Sequence, residues 1–406
     1  MSFSDLRFII ASDVLLACLF PLAILFLGYK HVPSFSFSEL KDLLLLGRRK
    51  TRHYGHFSLE RAHESYTQYV RLSEQELSLM RRSYSTLGRA NKNIGYKIGY
   101  PRKLDRMKDV TDLNATITDG VAELAIEEFP SLKTKDPVAA GSADLGRVRE
   151  SLKHFVRDWS EEGAAERTRI FAPILDLLRS VDPQERGGLK VLVPGCGLGR
   201  LAWEISQLGY DTTANELSFF MTLSLRFLLS PKTTTTPNEH ILRPYAHWFS
   251  HQRTNDSLFR GISFPDAVPR LSPTFRLVEE DFMKLKAPSS NRNDAYMDGY
   301  DFIVTLFFID TSLDLLSTLN HIHTLLRPGG VWINLGPLLW TGGAQAKVEL
   351  SLEEVLQAAE EIGFVLDRDE EGPSAQRTIE CEYTGDRNAM MRWIYKAEFW
   401  VARKSK

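Results

Sequence analysis

The chain has 406 residues, 43% of them hydrophobic and 25% charged, with a formal net charge of −2 and three cysteines. That length accommodates two domains or one large decorated domain, and the composition is that of a globular protein. The near-neutral balance excludes a basic field for nucleic acid, and the scattered Cys18, Cys196 and Cys381 form neither a disulfide framework nor a zinc ligand set.

The first element is an apolar run, "FIIASDVLLACLFPLAILFLG", from Phe8 to Gly28. It is about long enough to span a bilayer, but it carries Asp13 and Pro21, and a carboxylate inside a membrane is costly. Three readings stay open: a membrane or interfacial anchor, a poorly packed extension, and a buried helix. The chain is expected in the cytoplasm, with the nucleus also open, or with its main domain on the cytosolic side of a membrane if 8–28 inserts. The basic cluster "GRRKTRH" reads as a contact to anionic lipid or as a solvated face.

The sequence divides into an apolar segment (1–37), a helical module with a linker (38–146) and a catalytic domain (147–406) containing an insertion at 231–272. In the module, Ala62, Tyr66, Tyr69 and Leu72 recur at helical spacing, followed by Leu77 and Met80. Residues 131–146 are small, polar and Gly/Pro-containing, hence the linker. One helix is expected over "RVRESLKHFVRDWSEEGAAERTRIFAPILDLLRS".

From Lys190 strands alternate with helices. "LKVLVPG", "YDTTANE", "TFRLVEEDF", "YDFIVTLFFID" and "VWINLGPLL" read as strands. The helices between them include "SLEEVLQAAEEIG", which opens with a capping-box pattern. "RTIECEY" and "YKAEFWVARK" close the chain as an antiparallel pair. The expected fold is α/β, a doubly wound Rossmann-like sheet with an antiparallel pair at its end and an N-terminal helical module.

Gly195, Gly197 and Gly199 follow the first strand at alternate positions. Glycine permits the sharp strand-to-helix turn and a close approach of backbone to ligand. Glu216 ends the second strand, where a carboxylate accepts hydrogen bonds from ribose hydroxyls. NAD and S-adenosyl-L-methionine both carry adenosine, so the motif alone admits either. The GxGxG spacing, the strand plan and "EEDF" favour S-adenosyl-L-methionine, with Asp281 meeting the adenine amino group and Phe282 packing on its ring. A phosphate-loop nucleotidase is disfavoured, because Arg200 and Leu201 stand where Lys-Ser/Thr is needed. No metal is expected.

"VLVPGCGLGRLAWEISQLGY", "NELSFFM", "FFIDT", "LLRPGGVWINLGPLL", "HFVRDWSEEGAAER" and "AMM" together resemble the carnosine N-methyltransferase family, over roughly residues 40–404. The resemblance implies an S-adenosyl-L-methionine-dependent enzyme that methylates an imidazole ring nitrogen of carnosine or a related dipeptide. It assigns His154 (a Gln in the family), Arg157, Gly195, Glu216, Asp281, Phe282 and Phe302 to the cofactor. Helical spacing puts His154 and Arg157 on one face, with Arg157 placed for the methionine carboxylate. Plain strand packing is the other reading of Phe302.

For the methyl acceptor the resemblance assigns Asp310, Tyr395 and the position held here by Thr341, where the family has His. Asp310 and Tyr395 are the expected catalytic pair, with Asp310 accepting the N–H of the non-reacting imidazole nitrogen. The other reading of Asp310 is a helix N-cap. Thr341 neither stacks nor titrates as imidazole does. A different small amine, heteroaromatic or thiol acceptor stays open, as do a peptide acceptor, a non-catalytic membrane-tethered scaffold and a homodimer. "HWFSHQR", His247 to Arg253, either lines the substrate mouth or covers the sheet.

Overall fold

The computed structural model describes residues 55–135, 140–289, 298–368 and 371–405. The apolar run 8–28 and the basic cluster 47–53 lie outside them, so the expectation of membrane contact is not addressed there. Among the described residues no helix is long and apolar enough to cross a membrane.

Four helices lead the described chain: α1 (Leu59–Thr67), α2 (Tyr69–Ser85), α3 (Arg89–Lys97) and α4 (Tyr100–Glu128). Ser58 caps α1 by accepting the Arg61 N–H. Ala62, Tyr66, Tyr69, Leu72 and Leu77 are buried as their spacing predicts. The Tyr66 hydroxyl donates to the Phe220 carbonyl at 2.6 Å, which ties this layer to the helix that follows Glu216. A 3-10 turn, Pro130–Thr134, overlaps the start of the expected linker, and α5 begins inside it at Ser142.

α5 (Ser142–Trp159) and α6 (Ala164–Arg179) replace the one continuous helix expected from the sequence. The Ser160 hydroxyl donates to the Val156 carbonyl at 2.6 Å and accepts the Gly163 N–H at 3.2 Å. A Cβ on Gly163 would fall 2.3 Å from the Val156 oxygen. The serine diverts the backbone bonds, and the glycine lets the chain fold back on them.

The alternating half then runs β1 (Lys190–Pro194), α7 (Arg200–Gln207), β2 (Asp211–Asn215) and α8 (Phe219–Leu229). The insertion builds its own hairpin, β3 (His240–Leu242) against β4 (Ile262–Phe264). Asn114 of α4 binds it reciprocally, accepting the Arg243 N–H at 2.9 Å and donating to the Arg243 carbonyl at 3.0 Å. Next come β5 (Phe275–Val278), β6 (Tyr300–Leu306), α9 (Leu315–Leu325) and β7 (Leu326–Gly336). Strand β7 starts before "RPGG", not after it, with a register irregularity opposite Tyr300 and Phe302. α10 (Leu352–Ile362) carries the expected capping box of Ser351 and Glu354. β8 (Phe364–Leu366), which the sequence did not reveal, precedes β9 (Arg377–Cys381) and β10 (Tyr395–Lys404).

These strands form one sheet in the order β5-β2-β1-β6-β7-β10-β8, with β9 also on β10. The first five are parallel, and β8 and β9 pair antiparallel to β10, as does β7. Helices cover both faces, and one hydrophobic cluster joins Tyr66, Leu152, Ile174, Val193 and Ile333. Trp332 and Trp400 are buried edge to face at 5.6 Å in a second cluster. Each fully buried large apolar side chain contributes about 1.5–3 kcal/mol.

Candidate active site

Parallel strands in register end together, and their carboxyl ends make a single edge. Pro194 of β1 pairs with Asn215 of β2, and Asn215 with Val278 of β5. On the other side Leu306 of β6 pairs with Leu335 of β7. The loops carrying Gly195–Gly199, Glu216, Asp281, Asp310 and Thr341 all leave from that edge, where ligands bind in open α/β sheets. β10 runs antiparallel, with Glu398 opposite Gly336, so Tyr395 overhangs the same edge.

Gly195, Gly197 and Gly199 adopt φ of 60°, 56° and 72°, a region other residues rarely occupy. A Cβ at Gly195 would lie 2.5 Å from Phe308 Cδ2, and one at Gly199 would lie 3.0 Å from Leu225 Cδ2. At Gly197 the nearest atom would be His154 Nδ1 at 3.8 Å, so the loop is bare on that side. Trp159 Nε1 donates to the Leu198 carbonyl at 2.8 Å and pins the loop to α5.

Glu216 is half-buried. Its carboxylate accepts the Gly197 N–H at 3.0 Å and the Ser218 N–H at 2.9 Å. Burial raises its pKa above the ordinary range, while those N–H groups pull it back. Asp281 caps a short 3-10 turn by accepting the Met283 N–H at 3.0 Å. Phe282 is buried edge-on to Phe308 and His321, with centroids at 5.3 and 4.9 Å.

His154 and Arg157 meet on one face of α5, as expected, and both lean on Asp158, which sequence reasoning missed. Arg157 Nε and Nη2 donate to the Asp158 carboxylate at 2.7 and 3.1 Å, and His154 Nδ1 lies 3.4 Å from it. Asp158 is buried. Burial opposes its charge, but Arg157 and His154 overcome that and hold its pKa well below the usual carboxylate range. The available signal was an acid next to Arg157 and one helical turn from His154.

On the acceptor side Asp310 is buried on a 3-10 turn. Its Oδ2 accepts the Leu339 N–H at 3.1 Å, and its carbonyl accepts the Thr341 N–H at 3.2 Å. Among the described ion pairs none reaches this carboxylate, and burial pushes its pKa up to about 6. It does not cap α9; Asp314 does, by accepting the Ser317 N–H at 3.2 Å. Thr341 is exposed beside it.

Tyr395 packs edge-on to Phe307 at 5.6 Å. Phe307 has φ of 51°, a strained value for a bulky residue. Its ring lies 4.7 Å from that of Tyr383, which in turn lies 4.4 Å from the Arg157 guanidinium. Phe307, Phe308 and Tyr383 thus lie between Arg157, Phe282 and Tyr395. The sequence offered them only as aromatics in β-rich runs. Phe302 stands apart: it pairs with Val191 at the amino half of β1 and packs on Tyr210 at 5.9 Å, far along the strand from the glycine loop.

A glycine turn at positive φ after β1, a carboxylate just past β2 and a guanidinium buried on α5 make up this site. With the strand order, they define a class I S-adenosyl-L-methionine-dependent methyltransferase. Among the described residues no group of three or more His, Cys, Asp or Glu side chains is arranged to hold a metal ion.

Residues 134–406 match the family model described as carnosine N-methyltransferase. A carnosine N-methyltransferase from Schizosaccharomyces pombe is 31% identical, covering 84% of this chain and 93% of the relative. One from Mus musculus is also 31% identical, covering 87% and 84%. Among solved structures, a magnesium protoporphyrin IX methyltransferase from Synechocystis is similar at a TM-score of 0.36 and 12% identity, over 65% of this chain and 95% of that one. The chain belongs to the carnosine N-methyltransferase family, and its cofactor is S-adenosyl-L-methionine.

Proposed function

We propose that the enzyme methylates an imidazole ring nitrogen of carnosine, or of a related histidine-containing dipeptide, beside Asp310. Family membership supports the acceptor class. The observation that carries the reading is Asp310 itself, a buried carboxylate without a cation against it among the described residues, at the edge where the parallel strands end.

When bound, S-adenosyl-L-methionine supplies a methyl group already activated on a sulfonium. Arg157 holds its methionine carboxylate, with Asp158 fixing the guanidinium plane and His154 alongside. Gly195, Gly197 and Gly199 let the backbone approach. Glu216 accepts the ribose hydroxyls, and Asp281 and Phe282 receive the adenine.

Asp310 accepts the N–H of the imidazole nitrogen that is not methylated. This fixes the tautomer and leaves the lone pair of the other nitrogen free to attack. As that nitrogen gains the methyl group the ring becomes a cation, and the adjacent carboxylate stabilises it. Tyr395 holds a polar group of the acceptor. Alignment of two bound reactants contributes on the order of 7–11 kcal/mol at best. Thr341 keeps the backbone bond that seats its loop but brings no imidazole, so the acceptor is held with one aromatic fewer.

The test is turnover with methyl-labelled S-adenosyl-L-methionine against carnosine, histidine, simple amines and peptides, followed by mapping of the label. Label on a carnosine ring nitrogen is the expected result. Label only on amines, thiols or peptides, or cofactor binding without turnover, would overturn the reading.

A further inference from the structure

The stretch "HWFSHQR" meets the segment before β10, with Gln252 bridged to Ala389. The insertion reaches α5, the helix that carries His154, Arg157 and Asp158, at another point, Asp266.

The last four carbonyls of an α-helix have no intrahelical donor, and burying them unbonded is costly. In α5 they belong to Val156, Arg157, Asp158 and Trp159. Each finds a donor beyond the helix. The Ser160 hydroxyl serves Val156 at 2.6 Å, and Arg167 Nη1 serves Arg157 at 2.9 Å. Arg200 Nη1 reaches Asp158 at 3.3 Å, and the Asp266 N–H donates to Trp159 at 2.9 Å. Arg167 Nη1 also donates to the Ser160 carbonyl at 2.6 Å.

One carboxylate joins these donors. Asp266 accepts Arg167 Nη2 on one oxygen and Arg200 Nη1 on the other. Both guanidiniums are buried, and the Asp266 side chain is 15% exposed. A guanidinium is a rigid planar fork, so holding one edge against a carboxylate aims the other. Arg200 has a second partner, Glu204 at 2.7 Å, whereas Asp266 is the one carboxylate paired with Arg167 among the described ion pairs. Arg200 is the first residue of α7, directly after Gly199, and it lies over the Trp159 ring at 4.7 Å. Asp266 thereby ties the end of α5 to the end of the glycine turn. Arg157 and Asp158 sit in the helical turn so held: their side chains bond each other while their carbonyls bond Arg167 and Arg200.

We propose that Asp266 is a positioning residue: through Arg167 and Arg200 it fixes the last turn of α5, and with it the direction of the Arg157 guanidinium towards the amino-acid end of S-adenosyl-L-methionine. The proposal rests on the reading of Arg157 as the partner of the methionine carboxylate, and it gives the 231–272 insertion a part in cofactor binding.

S-adenosylhomocysteine and 5′-methylthioadenosine test it, since both carry the nucleoside and only the first carries the carboxylate and amine. Calorimetry on the full chain gives both Kd values and their ratio. Asp266→Asn keeps the backbone N–H to Trp159 and removes the charge. It is expected to weaken S-adenosylhomocysteine roughly tenfold or more and 5′-methylthioadenosine less than twofold. Arg167→Lys keeps a charge facing Asp266 but loses the fork, and should move the ratio the same way by roughly threefold or more. It decides alone if the Asp266 variant does not fold. A purely structural role would weaken both ligands together. A ratio that stays at the wild-type value, whether both ligands weaken or neither does, overturns the proposal. Arg157→Gln separates the two readings. Selective loss of S-adenosylhomocysteine there, without it in the Asp266 variant, removes this proposal alone. No selective loss in Arg157→Gln removes the reading of Arg157 and this proposal with it, and leaves imidazole methylation standing.

Discussion

Two buried aspartates belong to the candidate site, and their pKa values are shifted in opposite directions. Asp158, on the cofactor side, is lowered by Arg157 and His154. Asp310, past the end of β6, is raised to about 6 because burial is opposed there by backbone N–H groups alone among the described residues. The first is a finished structural pair whose carboxylate orients a cation. The second leaves a charge requirement unmet, as a group waiting for a substrate N–H does.

The largest effect is expected from breaking the finished pair. Asp158→Ala leaves Arg157 buried without its counterion, which costs about 3–5 kcal/mol. Denaturant unfolding should show that loss, and calorimetry should show weaker cofactor binding. Stability equal to wild type would mean that Asp158 is not the anchor of this face. The stability Asp158 contributes is present above the ordinary Asp pKa and is lost only as pH falls towards its depressed folded value.

Asp310→Asn should lower kcat by about 100-fold or more while leaving cofactor Kd within twofold, because the amide cannot balance the charge formed on the acceptor. The folded pKa of Asp310 is raised, so protonation favours the fold. That stabilisation is complete below the unfolded value near 4 and is lost as pH rises through about 6. The Asn variant should therefore melt higher than wild type at pH 8, by up to about 3 kcal/mol, and lose the difference at pH 4. Turnover of the wild type should fall as pH drops through about 6, where both Asp310 and the acceptor imidazole take up protons. A variant that is slower but no more stable would separate the catalytic role from the burial penalty.

Glu216→Gln keeps the shape and removes the charge. Loss of charge-assisted bonds worth about 1.5–3 kcal/mol should weaken cofactor binding roughly 10- to 100-fold, with the KM for the acceptor little changed. The smallest effect sharpens the acceptor side. Thr341→His adds an aromatic next to Asp310 and should improve kcat/KM for carnosine a few-fold. A decrease would show that this pocket is shaped for a different dipeptide.

The glycine turn and its neighbours were open to reading because their signals are local. A glycine is needed wherever φ turns positive, and Gly195, Gly197 and Gly199 announce this one after another, with Glu216 a fixed distance on. The His154–Arg157 face follows from helical spacing, and the Ser351–Glu354 cap from a four-residue pattern. Phe302 was misplaced because a strand position has meaning only once register is known. Pairing with Val191 puts it at the wrong end. The break at Ser160 and the early start of β7 also depend on what the backbone meets.

The alternation of strands and helices, the positive-φ glycine loop and the acid just past β2 were written in the chain itself, because backbone conformation and hydrophobic period depend on near neighbours. Which charge is paired and which is left wanting was decided only by folding. So was the meeting of Tyr383 with Phe307 and Arg157, and the joining of Asp266 in the insertion to Arg167 and Arg200. Those contacts join residues far apart in sequence, and the desolvation and Coulomb energies that set their chemistry exist only once the chain has packed.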